Sequence, residues 1–196
     1  MIWLRWSAIT VVAYALGAAA SVSLLGFARP VGALLGGVIF IALFGAVFGG
    51  VAGLVQLIGL PRRSSAPAAW LGLTAFGFAL GYVVAAFVGE TLGDTVSPTG
   101  NIVVGGAAIQ CLSGGVLGLA IGVAQGRALR LGLAWTVATA VGAFVGQGIA
   151  AAMLELLEIG VLKANLIPAF GGIIGLFVGV AQSVVLAITA SRIGRE

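Results

Sequence analysis

Six apolar stretches, joined by short polar segments, account for most of this chain. A helix needs roughly 20 apolar residues to cross the hydrocarbon layer of a membrane, and each stretch meets that length. They end within a few residues of Ile2–Phe27, Val31–Leu60, Ala68–Val88, Ile102–Gln125, Leu131–Leu154 and Leu166–Thr189. The sequence therefore predicts an all-α integral membrane protein of six transmembrane helices, with residues 1–196 forming a single membrane domain.

The few charged residues indicate how the helices are oriented. Only 7% of the residues are charged, and under a six-span arrangement seven of the nine Lys and Arg residues fall on one side. Positive residues favour the cytoplasmic side, so we expect cytoplasmic N- and C-termini in a prokaryotic plasma membrane. The basic residues form no stripe interleaved with aromatic residues, so we expect the lipid bilayer as a partner and no nucleic acid.

The even-numbered helices share the spacing G-x3-G-x3-G-x2-Q. Its three occurrences are Gly45, Gly49, Gly53 and Gln56; Gly114, Gly118, Gly122 and Gln125; and Gly171, Gly175, Gly179 and Gln182. Small residues at every fourth position lie on one helix face and allow two helices to approach closely in lipid. A recurring spacing of this kind is typical of an internal repeat.

The odd-numbered helices share a second spacing, which begins with tryptophan and continues with threonine and small residues. Its occurrences are Trp6, Thr10, Ala13, Gly17 and Ser21; Trp70, Thr74, Gly77, Gly81 and Ala85; and Trp135, Thr139, Gly142, Gly146 and Ala150. The first helix carries the same spacing as the third and fifth. We therefore expect it to be retained as a span, although its N-terminal sequence resembles a cleavable signal peptide.

Together the two spacings predict three tandem two-helix repeats, at roughly 1–60, 66–126 and 131–190. Two spans return the chain to its starting side, so the three units are expected to be parallel repeats. Equivalent packing would give pseudo-threefold symmetry about an axis along the membrane normal, unlike the inverted repeats of many transporters.

The repeated residues have two interpretations each. The glycines, including Gly77, Gly81, Gly142 and Gly146, either hold helices together or line a cavity where a ligand approaches the backbone. The repeated glutamines are Gln56, Gln125 and Gln182, and the threonines one turn deeper are Thr10, Thr74 and Thr139. These polar side chains either form interhelical hydrogen bonds or make an inner polar ring. Such a ring would be a constriction or a headgroup site at the cytoplasmic mouth. The tryptophans are expected to be interfacial anchors.

Polar residues outside the repeat are further candidates. Gln110 and Gln147 are expected either to face a cavity or to form single interhelical hydrogen bonds. Glu155 and Glu158 lie one turn apart and form a possible outer acidic site. They are expected to bind a cation or a basic partner, to pair with Lys163, or to be an ordinary charged helix end. Cys111 is expected to pack as a small apolar side chain.

Missing residue types exclude several functions. The chain has no histidine, which excludes His-ligated haem, His-containing zinc sites and His general bases. Proton relays and ion-coupled pumps need ionisable residues at mid-membrane, and none is placed there convincingly. We therefore expect no catalytic residues, no metal and no cofactor.

Two functions fit these observations. The first is a non-catalytic accessory, scaffold or interaction subunit of a larger membrane assembly, with other membrane-protein subunits as partners. The alternative is a passive or partner-driven transporter of a small neutral or amphipathic solute or lipid.

Overall fold

The computed structural model describes residues 2–60, 67–96, 102–156 and 166–193. Lipid offers no hydrogen-bond partners to the backbone, so an apolar chain satisfies its amides within helices. The described residues form six helices that are each long and apolar enough to cross a membrane, as predicted. In chain order they are α1 (Ile2–Leu35), α2 (Gly37–Leu57), α3 (Pro67–Val96), α4 (Ile102–Leu129), α5 (Gly132–Leu156) and α6 (Ile167–Ile193).

Several helices run further than their apolar stretches. We expected the first helix to end near Phe27, but α1 continues through Pro30 to Leu35. The next residue is Gly36, whose φ of 78° is readily adopted only by glycine and separates α1 from α2. Likewise the third helix was expected to end near Val88, but α3 continues to Val96, so Glu90 lies on a helix. Hydropathy marks where lipid begins, whereas backbone hydrogen bonds decide where a helix stops.

The six helices form a closed ring. Each packs against the helix before it and the helix after it, and α6 packs against α1. Consecutive helices run in opposite directions, so α1, α3 and α5 begin where α2, α4 and α6 end. We call this end the Trp end, because Trp6, Trp70 and Trp135 lie there, and the opposite end the far end.

The glycines of the even-numbered helices lie against the backbone of the next odd-numbered helix. A Cβ atom placed on the middle glycine of each spacing would lie 2.7–2.8 Å from a threonine carbonyl oxygen. The three pairs are Gly49 with Thr74, Gly118 with Thr139 and Gly175 with Thr10. Cβ atoms do not approach backbone oxygens so closely, so the α2–α3, α4–α5 and α6–α1 contacts require glycine at these positions.

The small residues of the odd-numbered helices form the remaining contacts. A Cβ on Gly17 would lie 2.8 Å from the carbonyl oxygen of Phe48, which joins α1 to α2. Gly81 faces Leu117 on α4, and Gly142 faces Val178 on α6. The small residues of both spacings therefore lie at contacts between neighbouring helices of the ring.

The outer surface of the ring is apolar, as a lipid-facing surface must be. Large side chains such as Leu54, Phe76 and Val141 are more than half exposed, although they are apolar. The buried polar side chains among the described residues are Ser, Thr and Gln, which carry no charge. This distribution supports an integral membrane protein with a polar but uncharged interior.

Candidate functional site

A buried polar layer crosses the ring interior at the Trp end. The tryptophans begin the odd-numbered helices, the glutamines end the even-numbered ones, and the threonines lie one turn further in. The layer consists of Trp6, Trp70, Trp135, Gln56, Gln125, Gln182, Thr10, Thr74 and Thr139, all at most 2% exposed. The structure thus brings together the six residues of the predicted polar ring and adds the three tryptophans to them.

The three glutamines form a hydrogen-bonded chain across the ring. Gln182 Nε2 donates to Gln125 Oε1 at 3.1 Å, and Gln125 Nε2 donates to Gln56 Oε1 at 3.2 Å. These residues lie on α6, α4 and α2, which are not neighbours in the ring. The contacts between them must therefore pass through its interior.

Each glutamine is also bonded to the threonine of the preceding helix. The Nε2 atoms donate to threonine Oγ1 atoms in three pairs: Gln56 to Thr10 at 3.5 Å, Gln125 to Thr74 at 3.4 Å, and Gln182 to Thr139 at 2.9 Å. Gln125 in addition accepts a bond from Trp135 Nε1 at 3.3 Å. Its carboxamide therefore uses both of its N–H donors and accepts two hydrogen bonds.

The tryptophans cover the glutamines on the side of the helix ends. Trp6 contacts Trp70 and Trp135 edge to face, with ring centroids 6.1 and 5.7 Å apart. Trp6 Nε1 donates to Gln182 Oε1, whereas Trp70 Nε1 donates to the carbonyl oxygen of Gly53. Leucines surround the three rings: Leu57, Leu60, Leu129, Leu131 and Leu186.

These positions correct one expectation. We predicted the tryptophans to be interfacial anchors, but their rings lie inside the ring of helices and away from lipid. An anchor exposes its ring to the headgroups, whereas these rings pack on one another and two of them bind glutamine amides. Side chains, rather than open space, therefore occupy the interior at the Trp end.

An aromatic cluster lies beside the polar layer on the side of the far end. It contains Tyr14, Phe44, Phe48, Phe78 and Tyr82. Phe48 stacks on Phe78 with centroids 4.7 Å apart, and Tyr14 lies edge-on to both. Phe44 and Tyr82 are in edge contact at 5.2 Å. The cluster extends the packed interior toward the middle of the bundle.

A cavity of about 530 Å³ lies between this cluster and the far end. Its lining comes from α2, α3, α4 and α5 and includes Phe44, Tyr82, Gln110 and Gln147. Because α2 and α5 are not neighbours in the ring, a cavity that both helices line must lie inside it. Among the described residues it is open rather than fully enclosed, and we call it the far-end cavity.

Gln110 and Gln147 both line the far-end cavity, in agreement with one of the two interpretations of the sequence. No hydrogen bond joins either carboxamide to any residue that the structure describes, which disfavours the other. No family model, curated protein or solved structure matches the chain. Its function must therefore be inferred from these two regions, the sealed Trp end and the far-end cavity.

The predicted outer acidic site lies largely outside the described residues. Glu158 falls beyond them, and Glu155 is placed only as part of helix α5. Within the described ranges, no three His, Cys, Asp or Glu side chains come together in a way that would hold a metal ion. Arg5, at the Trp end, donates to the carbonyl oxygen of Ile58 just after α2, where a positive charge is favourable.

Sequence reasoning missed the hydroxyl group of Tyr14. Tyr14 is 2% exposed, and its oxygen is the one buried side-chain N or O atom in the described part of the chain that has no hydrogen-bond partner. The sequence offered no signal for it, because a tyrosine inside an apolar stretch does not reveal which side chains surround its hydroxyl.

Replacing Tyr14 with phenylalanine is expected to stabilise the protein by about 1 kcal/mol, because it removes a buried polar group that makes no hydrogen bond. Denaturant unfolding in micelles measures the change. Tyr82→Phe is the matched control, since the ring of Tyr82 borders the far-end cavity, and we expect a change of less than about 0.5 kcal/mol there. A loss of stability in Tyr14→Phe would mean that the hydroxyl has a partner.

Proposed function

We propose that the protein is a non-catalytic subunit of a larger membrane assembly. It would lie in a prokaryotic plasma membrane with its Trp end and both termini in the cytoplasm. The observation that carries the proposal is the buried polar layer, because three glutamines and three tryptophans occupy the interior where a solute would have to pass. A chain whose interior is closed in this way would act by binding other membrane-protein subunits rather than by letting solutes pass through it.

The same proposal includes three equivalent two-helix units around a pseudo-threefold axis along the membrane normal. Corresponding positions make corresponding contacts, which supports this arrangement. The first glycine of each G-x3-G-x3-G-x2-Q spacing faces the carbonyl oxygen of the residue found eight positions after a tryptophan. The three pairs are Gly45 with Phe78, Gly114 with Ala143 and Gly171 with Tyr14. The Gln–Thr hydrogen bonds are likewise repeated in all three units.

Two measurements test the proposal together. An affinity-tagged chain, expressed at its native level and extracted in mild detergent, is expected to retain another membrane protein in a constant molar ratio. In protein-containing liposomes, glycerol uptake followed by stopped-flow light scattering is expected to equal that of protein-free liposomes. A glyceroporin serves as the positive control. Recovery of the chain alone from native lipid, or saturable glycerol uptake, would contradict the proposal.

The far-end cavity favours a second function, partner-driven transport of a neutral or amphipathic solute. A cavity near one end and a sealed layer at the other suit a protein that binds its solute and releases it only when a partner opens the sealed end. Solute uptake by liposomes would then require both proteins. Uptake by the chain alone would instead indicate a passive transporter.

A further inference from the structure

The walls of the far-end cavity differ in character. The α2 and α3 side is mostly aromatic and apolar, with Phe40, Phe44 and Tyr82. The α4 and α5 side carries Gln110, Ser113 and Gln147. The lining contains no charged side chain among the residues that can be described. A cavity with these walls suits an uncharged molecule that has an apolar body and a polar edge.

The polar wall arises where the repeated spacing is broken. Gln147 lies twelve residues after Trp135, at the place that Tyr82 occupies after Trp70. Gln110 lies four residues before Gly114, where Ile41 precedes Gly45.

Ser113 likewise precedes Gly114 where Phe44 precedes Gly45. Helix packing in this fold is therefore compatible with large apolar residues at these positions. Ser113 does donate a hydrogen bond from its Oγ to the carbonyl oxygen of Ala85 on α3, at 3.4 Å. The carboxamides of Gln110 and Gln147 make no such bond to a described residue, so they are not needed to hold the helices together.

The hydrogen bonding of the glutamines separates them into two groups. Gln56, Gln125 and Gln182 are fully buried and bonded to other side chains. Gln110, which is exposed, and Gln147, which is half-buried, line the far-end cavity, and neither makes a hydrogen bond to any described residue. A carboxamide presents an N–H donor beside a C=O acceptor, and the complementary partner is another donor–acceptor edge.

We propose that the far-end cavity binds an uncharged, planar molecule of two or three fused rings whose edge carries a lactam or imide group. Phe40, Phe44 and Tyr82 contact the faces of the rings, and the carboxamides of Gln110 and Gln147 bind the polar edge. The volume of about 530 Å³ lies within the range of small-molecule sites, roughly 300–1,000 Å³. This inference deepens the second proposed function, and binding to the isolated chain tests it without any partner.

The test uses three probes of one shape, measured by equilibrium dialysis against the protein in lipid nanodiscs, with empty nanodiscs subtracted. Phenanthridinone carries a lactam edge, phenanthrene lacks it, and phenanthrene-9-carboxylate is charged. We expect saturable binding of phenanthridinone at one site per chain. The other two probes should show only partition into lipid or at least tenfold weaker binding, since about 1.4 kcal/mol corresponds to a factor of ten.

Three variants locate the site. Gln147→Leu retains the Cβ and Cγ atoms that pack on Gly114 and should weaken phenanthridinone binding about tenfold, with unchanged thermal stability. Ala86→Phe fills the cavity and should abolish binding, whereas Val84→Phe, on the same helix but outside the lining, should not.

Three outcomes would overturn the proposal. These are no saturable binding to the parent protein, equal binding of phenanthrene and phenanthridinone, and full affinity in Gln147→Leu. The second would show a purely apolar cavity, of the kind that accepts a lipid chain. If the chain bound phenanthridinone but did not transport it in the presence of its partner, the transport function would be wrong, whereas the binding site would still stand.

Discussion

Replacement of Gly118 with leucine is expected to abolish folding of the protein. A Cβ on Gly118 would lie 2.7 Å from the Cα of Ala140 and 2.7 Å from the carbonyl oxygen of Thr139. These are backbone atoms, so no rotamer change relieves the clash, and α4 and α5 would have to separate. Overpacking costs typically about 1–3 kcal/mol even where side chains can adjust, and membrane helices have no hydrophobic drive between them to compensate.

A graded series makes this prediction measurable. We expect Gly118→Ala to lower the free energy of unfolding by about 3 kcal/mol, and Gly118→Leu to yield no monodisperse protein after extraction from the membrane. Gly72 is the matched control, because it is exposed on α3 and a Cβ there would meet no atom within 4 Å. Gly72→Ala and Gly72→Leu should fold like the parent protein.

The Gly118 series also distinguishes the two interpretations of the glycines. If Gly118→Leu folded normally, the glycine would not be needed for helix contact, and a role in lining a ligand site would be favoured. The distances to the threonine carbonyl oxygens at Gly49 and Gly175 are within 0.1 Å of that at Gly118, so we expect the same result at the α2–α3 and α6–α1 contacts.

Gln125→Leu is expected to lower the free energy of unfolding by about 3 kcal/mol. Gln125 makes four hydrogen bonds, to Gln56, Thr74, Gln182 and Trp135. Interhelical hydrogen bonds in membranes average about 0.6 kcal/mol each, which accounts for most of this value. The remainder comes from partner atoms left buried without a bond.

Gln110→Leu is the control, because it makes the same chemical change on the same helix at a side chain with no described hydrogen bond. We expect that variant to remain within about 0.5 kcal/mol of the parent. Reversible denaturation in bicelles measures both. Equal stability of the two variants would mean that the layer does not hold the helices together. Normal stability with increased glycerol uptake in Gln125→Leu would instead identify the layer as a polar constriction.

The two regions of the interior have different consequences for function. The buried polar layer satisfies its own hydrogen bonds, as in the amide network around Gln125, so nothing within it calls for a ligand. The far-end cavity leaves two carboxamides without described partners beside aromatic rings. Substitutions at the Trp end are therefore expected to change stability, and substitutions that line the far-end cavity are expected to change ligand binding.

Much of the fold could be predicted from local patterns in the sequence. Apolar length alone predicts the six helices, because lipid requires each backbone amide to be bonded within its own segment. The four-residue glycine spacing likewise predicts which face of each helix allows close contact. The grouping of Gln56, Gln125 and Gln182 at one end follows from the alternating direction of the helices. The threefold arrangement of the units stays a prediction.

Other features depended on contacts between residues far apart in the chain. A helical spacing shows which residues share a face, but not which side chains will oppose it. For that reason the tryptophans were expected at the membrane–water interface, although their indole groups pack on one another inside the ring of helices. The far-end cavity arises only because α2 and α5 face each other across the closed ring. Gln110 and Gln147 were candidates in the sequence, and this closure of the ring places both on one cavity wall.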